Sequence, residues 1–227
     1  MLDHRHTSKL IGLVFIASFI AYGSGSAMVE NLINHSQGLS TTVSQTNTLV
    51  TGVLLITLVH GSLIIGLCSL LLPFLKRANT PLAYTYFATA ITSQLILSLS
   101  ALSYLLLMPL TLASIGADLN LTTSIALMVQ LIKQFNSDAY QVAMAFWAMG
   151  GMVFASILWR WQLAPKLFGV MGIIGYMIFF IGTISQLWGY PVGLITSIPG
   201  GLFEIALSIW LIIKGINTQH LKEDDPK

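Results

Sequence analysis

Long apolar stretches alternate with short polar breaks along this chain, at about 10–29, 48–75, 81–109, 138–159, 166–188 and 193–214. Each is near or above the roughly 20 residues a helix rising about 1.5 Å per residue needs to cross a hydrocarbon core of about 30 Å. Within such a core the backbone polar groups have to be satisfied inside each segment, which selects helices. The pattern predicts an all-α integral membrane protein, a six-transmembrane-helix bundle forming a single transmembrane domain over 1–227. Lys76 and Arg77 close the second run, Arg160 closes the fourth, and Pro81 suits a first helical residue. The first run carries the positive flank and the small Gly25-Ser26-Ala27 of a secretory signal. Its length and the five runs after it make it an uncleaved first helix.

The stretch 110–137 departs from this rhythm, since Asp118, Asn120, Lys133 and Asn136 interrupt it. Thr123, Gln130, Gln134 and Ser137 nonetheless recur at helical spacing. They predict an extra amphipathic helix between the third and fourth spans, lying at the interface or capping the bundle. On the fifth run Phe168, Gly172, Gly175, Phe179, Gly182 and Gln186 share one face, a small-residue seam that lets membrane helices approach closely. Pro199 lies inside the sixth run and is expected to kink it just before Glu204. The residues 221–227 form a charged tail.

Glu204 is the acid nearest the middle of any run. At about 100° per residue, Gly193, Ser197, Gly200, Ser208 and Leu211 lie within roughly 40° of it, a small and polar face that should look inward. His60 and Gln94 fall at similar depth on the second and third spans. A plain reading makes Glu204 the partner of His60 or Gln94 in an interhelical hydrogen bond. A sharper one gathers Glu204, His60, Gln94, Ser197 and Ser208 around an intramembrane pocket for a small ligand or a proton. Helical phase does not choose a face for His60, because Val53, Thr57, Ile64 and Leu67 surround it while Ser62, Gly66 and Ser69 lie opposite. Glu30, His35, Asp138 and Gln186 would line an outer mouth.

Composition agrees with the pattern: 55% of residues are hydrophobic and 8% charged, with mean hydropathy +0.81, whereas soluble domains carry about 25% charge. A net charge of +2 gives no footprint for nucleic acid. The placement of charge says more. With six spans, Arg5, Lys9, Lys76, Arg77, Arg160, Lys166, Lys214, Lys222 and Lys227 fall on one side and only Lys133 on the other. The positive-inside rule then makes both termini cytoplasmic. The single cysteine, Cys68, excludes an intramolecular disulfide. One intramembrane histidine is too few for a bis-histidine haem, and His35, Glu30 and Asp138 lack the ligand spacing of a zinc site. No cofactor, metal or catalytic nucleophile is therefore expected. The expected partners are the lipid bilayer and a small lipophilic ligand. Trp147, Trp159, Trp161, Trp188, Tyr190 and Trp210 fall mostly near span ends, where an interfacial belt predicts them.

Two stretches, RWQLAPKLFGVMGIIGY from Arg160 to Tyr176 and PGGLFEIALSIWLIIKG from Pro199 to Gly215, resemble the bacterial membrane family catalogued as domain of unknown function 4386. The resemblance covers 138–215 in sequence and the earlier chain in layout. It implies a basic connection between the fourth and fifth spans, here Ala164-Pro165-Lys166-Leu167-Phe168-Gly169, and a glutamate opening the last span, here Glu204. The family's phenylalanine-glycine step in the fourth span is replaced by Phe146-Trp147-Ala148. The resemblance implies fold and an inner-membrane location and carries no activity. The functional expectation is binding or transport of a small lipophilic or weakly polar molecule. The alternatives are a membrane enzyme with Glu204 and His60 as acid and base, and a structural subunit of a membrane complex.

Overall fold

A computed structural model of the protein describes residues 4–35, 45–219 and 221. Six helices are long and apolar enough to cross a membrane: His4–Ile33, Thr46–Ala78, Thr80–Ser114, Leu119–Arg160, Lys166–Leu187 and Ile195–Ile213. Among the described residues there is no strand, and the fold is a six-transmembrane helical bundle. Its helices turn apolar residues outward as well as inward. On the sixth, Leu202, Ile205, Ile209 and Ile213 are exposed while Phe203, Leu207 and Leu211 are buried, as suits a surface solvated by lipid. The expected tail over 221–227 lies outside the described residues except for Leu221.

Several boundaries differ from the sequence reading. The amphipathic helix expected before the fourth span is present, but it runs into that span without a break, as one helix Leu119–Arg160 of 42 residues. Asp118 begins it, its Oδ1 accepting the amide of Leu121 at 2.8 Å. No proline or glycine follows until Gly150, so the polar residues of its first half mark contact with water and not an end of the helix. At about 1.5 Å per residue it is roughly 63 Å long, twice the hydrocarbon core. The stripe of Thr123, Gln130, Gln134 and Ser137 is exposed. The third span passes Pro109, because a 3-10 turn at Tyr104–Leu106 restarts the helix as Leu107–Ser114 and leaves the proline in its first turn.

Pro199 likewise falls in a first turn and not in a helix interior. The α-helix there is Ile198–Ile213, preceded by a 3-10 turn Gly193–Ser197, so the proline sits at a position whose missing N–H has no intrahelical acceptor to lose. The second span contains a π-helical segment, Leu55–His60, between the α-helices Thr46–Leu54 and Gly61–Ala78.

The chain divides into two compact units. The first comprises Met1–Ala17, Leu63–Ser93 and Gln141–Lys227, and the second Ser18–Ser62 and Gln94–Tyr140. In the first unit close backbone approach rests on glycines of the fifth span. A Cβ on Gly175 would stand 3.0 Å from backbone atoms of Pro199 and Gly200, so no side chain fits between the fifth and sixth helices there. In the second unit Gly25 and Gly52 play this part, each within 2.9 Å of the other's carbonyl oxygen as measured from a Cβ. Asn136 locks the third helix to the fourth in that unit: its Nδ2 donates to Ser100 O at 2.7 Å and Oγ at 2.9 Å, while Ser100 Oγ donates to Asn136 O at 2.9 Å.

Candidate functional site

The polar centre of the first unit is Glu204, only 5% exposed. It occupies the inward face that its helical phase predicts, with Gly200, Ser208 and Leu211 buried beside it. Ser208 Oγ donates to the Glu204 carbonyl at 2.7 Å, one turn along the same helix. Both side-chain donors to the carboxyl come from other helices. Trp147 Nε1, on the fourth, donates to Oε1 at 2.8 Å, and Tyr176 Oη, on the fifth, donates to the same oxygen. One carboxyl oxygen thus ties three helices together.

The surroundings of Tyr176 explain how a phenol reaches this depth. Gly151 on the fourth helix leaves room for its ring: a Cβ there would lie 2.3 Å from a ring carbon. Phe203 meets the same ring edge-on at a centroid distance of 5.7 Å. A second phenol, Tyr86 on the third helix, stacks on Phe154 at 5.2 Å and is 4% exposed. Its hydroxyl is buried and, among the described residues, has no partner of good hydrogen-bond geometry, the Cys68 thiol being its weak hydrogen-bonding neighbour. The Glu204 carboxyl also acts on it electrostatically. Buried polar atoms are satisfied in the great majority of cases, so a buried hydroxyl left with only a thiol calls for an explanation.

His60 and Gln94 belong to the second unit and have partners of their own there. His60 Nδ1 lies 3.1 Å from Ser18 O. A carbonyl only accepts, so Nδ1 carries the hydrogen and, in the neutral ring, Nε2 keeps its lone pair. Tyr22 packs over the imidazole at 5.4 Å. Gln94 Nε2 donates to Ile56 O at 3.3 Å, inside the π-helical segment, and to Ser98 Oγ at 3.2 Å. Glu204 therefore takes its hydrogen bonds from Trp147 and Tyr176 in place of the expected His60 or Gln94.

Of the remaining candidates, Ser197 closes the 3-10 turn before the sixth helix and is half-buried, and Gln186 is half-buried in the last turn of the fifth. Glu30 is exposed in the second unit and accepts Ser26 Oγ at 2.7 Å. Asp138, also exposed there, accepts Gln134 Nε2 at 2.8 Å. His35 ends the first helix, and its side chain lies outside what the structure describes. Among the described residues no three His, Cys, Asp or Glu side chains gather as a metal site would need.

A family model matches residues 10–215 of the chain. The chain belongs to the family described as Domain of unknown function (DUF4386). No curated protein and no solved structure matches it. In this DUF4386 chain the stretches 160–176 and 199–215 are paired partners: Gly175 packs on Pro199 and Gly200, and Tyr176 bonds Glu204. On the fourth helix of this DUF4386 chain, Trp147 supplies the indole donor to Glu204. Among the aromatics read mostly as an interfacial belt, Trp147 lies within the fourth helix and serves this centre. The residues missed by sequence reasoning are thus Trp147, Tyr176 and Tyr86. The signals present for them were Gly151 and the seam of Gly172 and Gly175, which leave room for a large neighbour.

Proposed function

We propose that this membrane protein binds, or binds and carries, a small lipophilic or weakly polar molecule at the Glu204 centre. The observation that carries the reading is the buried hydroxyl of Tyr86, left with no well-formed hydrogen bond among the described residues, in electrostatic contact with a buried carboxyl whose two described donors share one oxygen. Together they offer one donor and one acceptor in an aromatic, apolar setting. A hydroxyl or amine group on an otherwise apolar molecule satisfies both. Intramembrane acids usually face such a partner or cavity. A purely structural role accounts for Oε1, which joins three helices, and leaves the Tyr86 hydroxyl with only the weak Cys68 thiol. The placement of basic residues supports a bacterial inner membrane with both termini cytoplasmic.

The test is organic extraction and mass spectrometry of what co-purifies with the wild-type protein, Glu204→Gln and Tyr86→Phe, alongside their melting temperatures. The reading expects a small molecule on the wild type that both variants lose. It also expects Tyr86→Phe to melt lower when wild-type protein is saturated with that molecule. If the hydroxyl is merely orphaned, removing it stabilises the protein by about 1–3 kcal/mol, the usual cost of an unsatisfied buried group. That outcome, with nothing lost on extraction, ends the proposal.

A further inference from the structure

The stretches 160–176 and 199–215 meet a second time, near the start of one and the end of the other. The connection between the fourth and fifth helices and the end of the sixth enclose a cleft of about 400 Å³. Gln162 and Lys166 form one wall, and Trp210, Lys214 and Asn217 the other. This volume exceeds many times the roughly 30 Å³ that one water occupies.

The walls are fixed by the backbone. Gln162 adopts a left-handed conformation, φ 52°, which turns the chain back after Arg160. Gly215, at φ 82°, ends the sixth helix in the same region of backbone space, where glycine is favoured. Asn217 N–H then donates to Leu163 O at 2.9 Å, stitching the two walls together. Ile216 N–H donates to Ser8 Oγ at 3.1 Å, and Ser8 Oγ donates to His4 O at 2.7 Å, so the first helix braces the same turn.

The electrostatics of the cleft favour an anion. Lys166 and Lys214 are both exposed into it. Glu204 is the sole described carboxylate of this unit, and it is held by Trp147 and Tyr176. Neither lysine therefore has a described carboxylate to pair with. The fifth helix starts at Lys166 after Pro165, with no side-chain cap. Phe168 N–H turns to Pro165 O, and among the described residues the amides of Lys166 and Leu167 have no acceptor. The carbonyl end of the sixth helix contributes the opposite partial charge, and Lys214 is the residue that caps it. The half-buried indole of Trp210, packed on Phe168 at 5.7 Å, adds an amphipathic wall of the kind found at the headgroup level.

We propose that this cleft binds a phosphate group through Lys166 and Lys214, as carried by an acidic phospholipid headgroup or by free phosphate. Basic pockets between membrane helices hold acidic headgroups by this chemistry.

Native mass spectrometry of the purified chain tests it, with phosphatidylglycerol compared with phosphatidylcholine, and inorganic phosphate added in a separate arm. Wild-type protein should retain phosphatidylglycerol over phosphatidylcholine, and Lys166→Gln/Lys214→Gln should lose about 30-fold in retention, at roughly a factor of five for each lysine. Lys166→Arg/Lys214→Arg and Lys133→Gln, whose lysine is far along the chain in the second unit, should keep it. Displacement of the lipid by inorganic phosphate, absent in the double glutamine variant, assigns the site to free phosphate. Equal retention of the two lipids by the wild type with no effect of phosphate overturns the proposal. So does a double glutamine variant that melts and binds like the wild type.

Discussion

Removing the Tyr176 hydroxyl while keeping its ring isolates the bond on which the Glu204 centre depends. Tyr176→Phe leaves the ring in the slot opened by Gly151 and against Phe203, so packing is kept and one donor to Oε1 is lost. Hydrogen bonds to charged groups contribute about 1.5–3 kcal/mol in proteins generally. Interhelical bonds in a bilayer average about 0.6 kcal/mol and reach about 1.7, because the unfolded chain finds other partners in the membrane. Glu204 is 5% exposed and takes both side-chain donors from other helices, which places it at the top of the membrane range. A double-mutant cycle of Tyr176→Phe with Glu204→Met, measured by denaturant unfolding in bicelles, should give a coupling of about 1–1.7 kcal/mol. Trp147→Phe with Glu204→Met should give a coupling of the same sign. Coupling within about 0.3–0.5 kcal/mol of zero, the additivity of independent sites, would refute the reasoning.

Further outcomes follow from the same packing. Gly151→Ala should destabilise by roughly 1–3 kcal/mol, since its Cβ meets the Tyr176 ring at 2.3 Å, while Gly66→Ala, with nothing within 4 Å of its Cβ, should be neutral or slightly stabilising in the same melting assay. Cys68 is the chain's one cysteine and is 1% exposed, so a water-soluble maleimide should leave the native protein unlabelled and label it after denaturation; rapid native labelling would contradict the burial. Asn136→Ala removes two hydrogen bonds that its side chain makes to Ser100 and should cost about 1–2 kcal/mol, read by unfolding in bicelles.

The number of spans and the inward face of Glu204 were legible because both follow from local rules, hydrophobic length and 100° per residue. What hydropathy cannot report is whether a helix stops when its solvent changes. The fourth helix therefore read as two elements although its backbone is one. Proline was over-read in the third and sixth spans for a related reason: 3-10 turns just upstream restart the helix and make Pro109 and Pro199 first-turn residues. The phase of His60 was ambiguous because Leu55–His60 is π-helical, which shifts the register that a 100° wheel assumes. Depth along a span sets height and not direction, so equal depth did not make His60 and Gln94 the partners of Glu204. The true donors, Trp147 and Tyr176, count as apolar in composition while carrying a polar handle.

Glu204, held at one oxygen by Trp147 and Tyr176, is proposed to receive a non-protein partner together with Tyr86. An experimental density map of the purified protein in a lipid nanodisc tests this directly. Non-protein density should lie within hydrogen-bonding distance of Tyr86 Oη and the Glu204 carboxyl, with the Trp147 and Tyr176 bonds in place. A map in which Glu204 touches protein atoms alone and Tyr86 Oη is dry would contradict it.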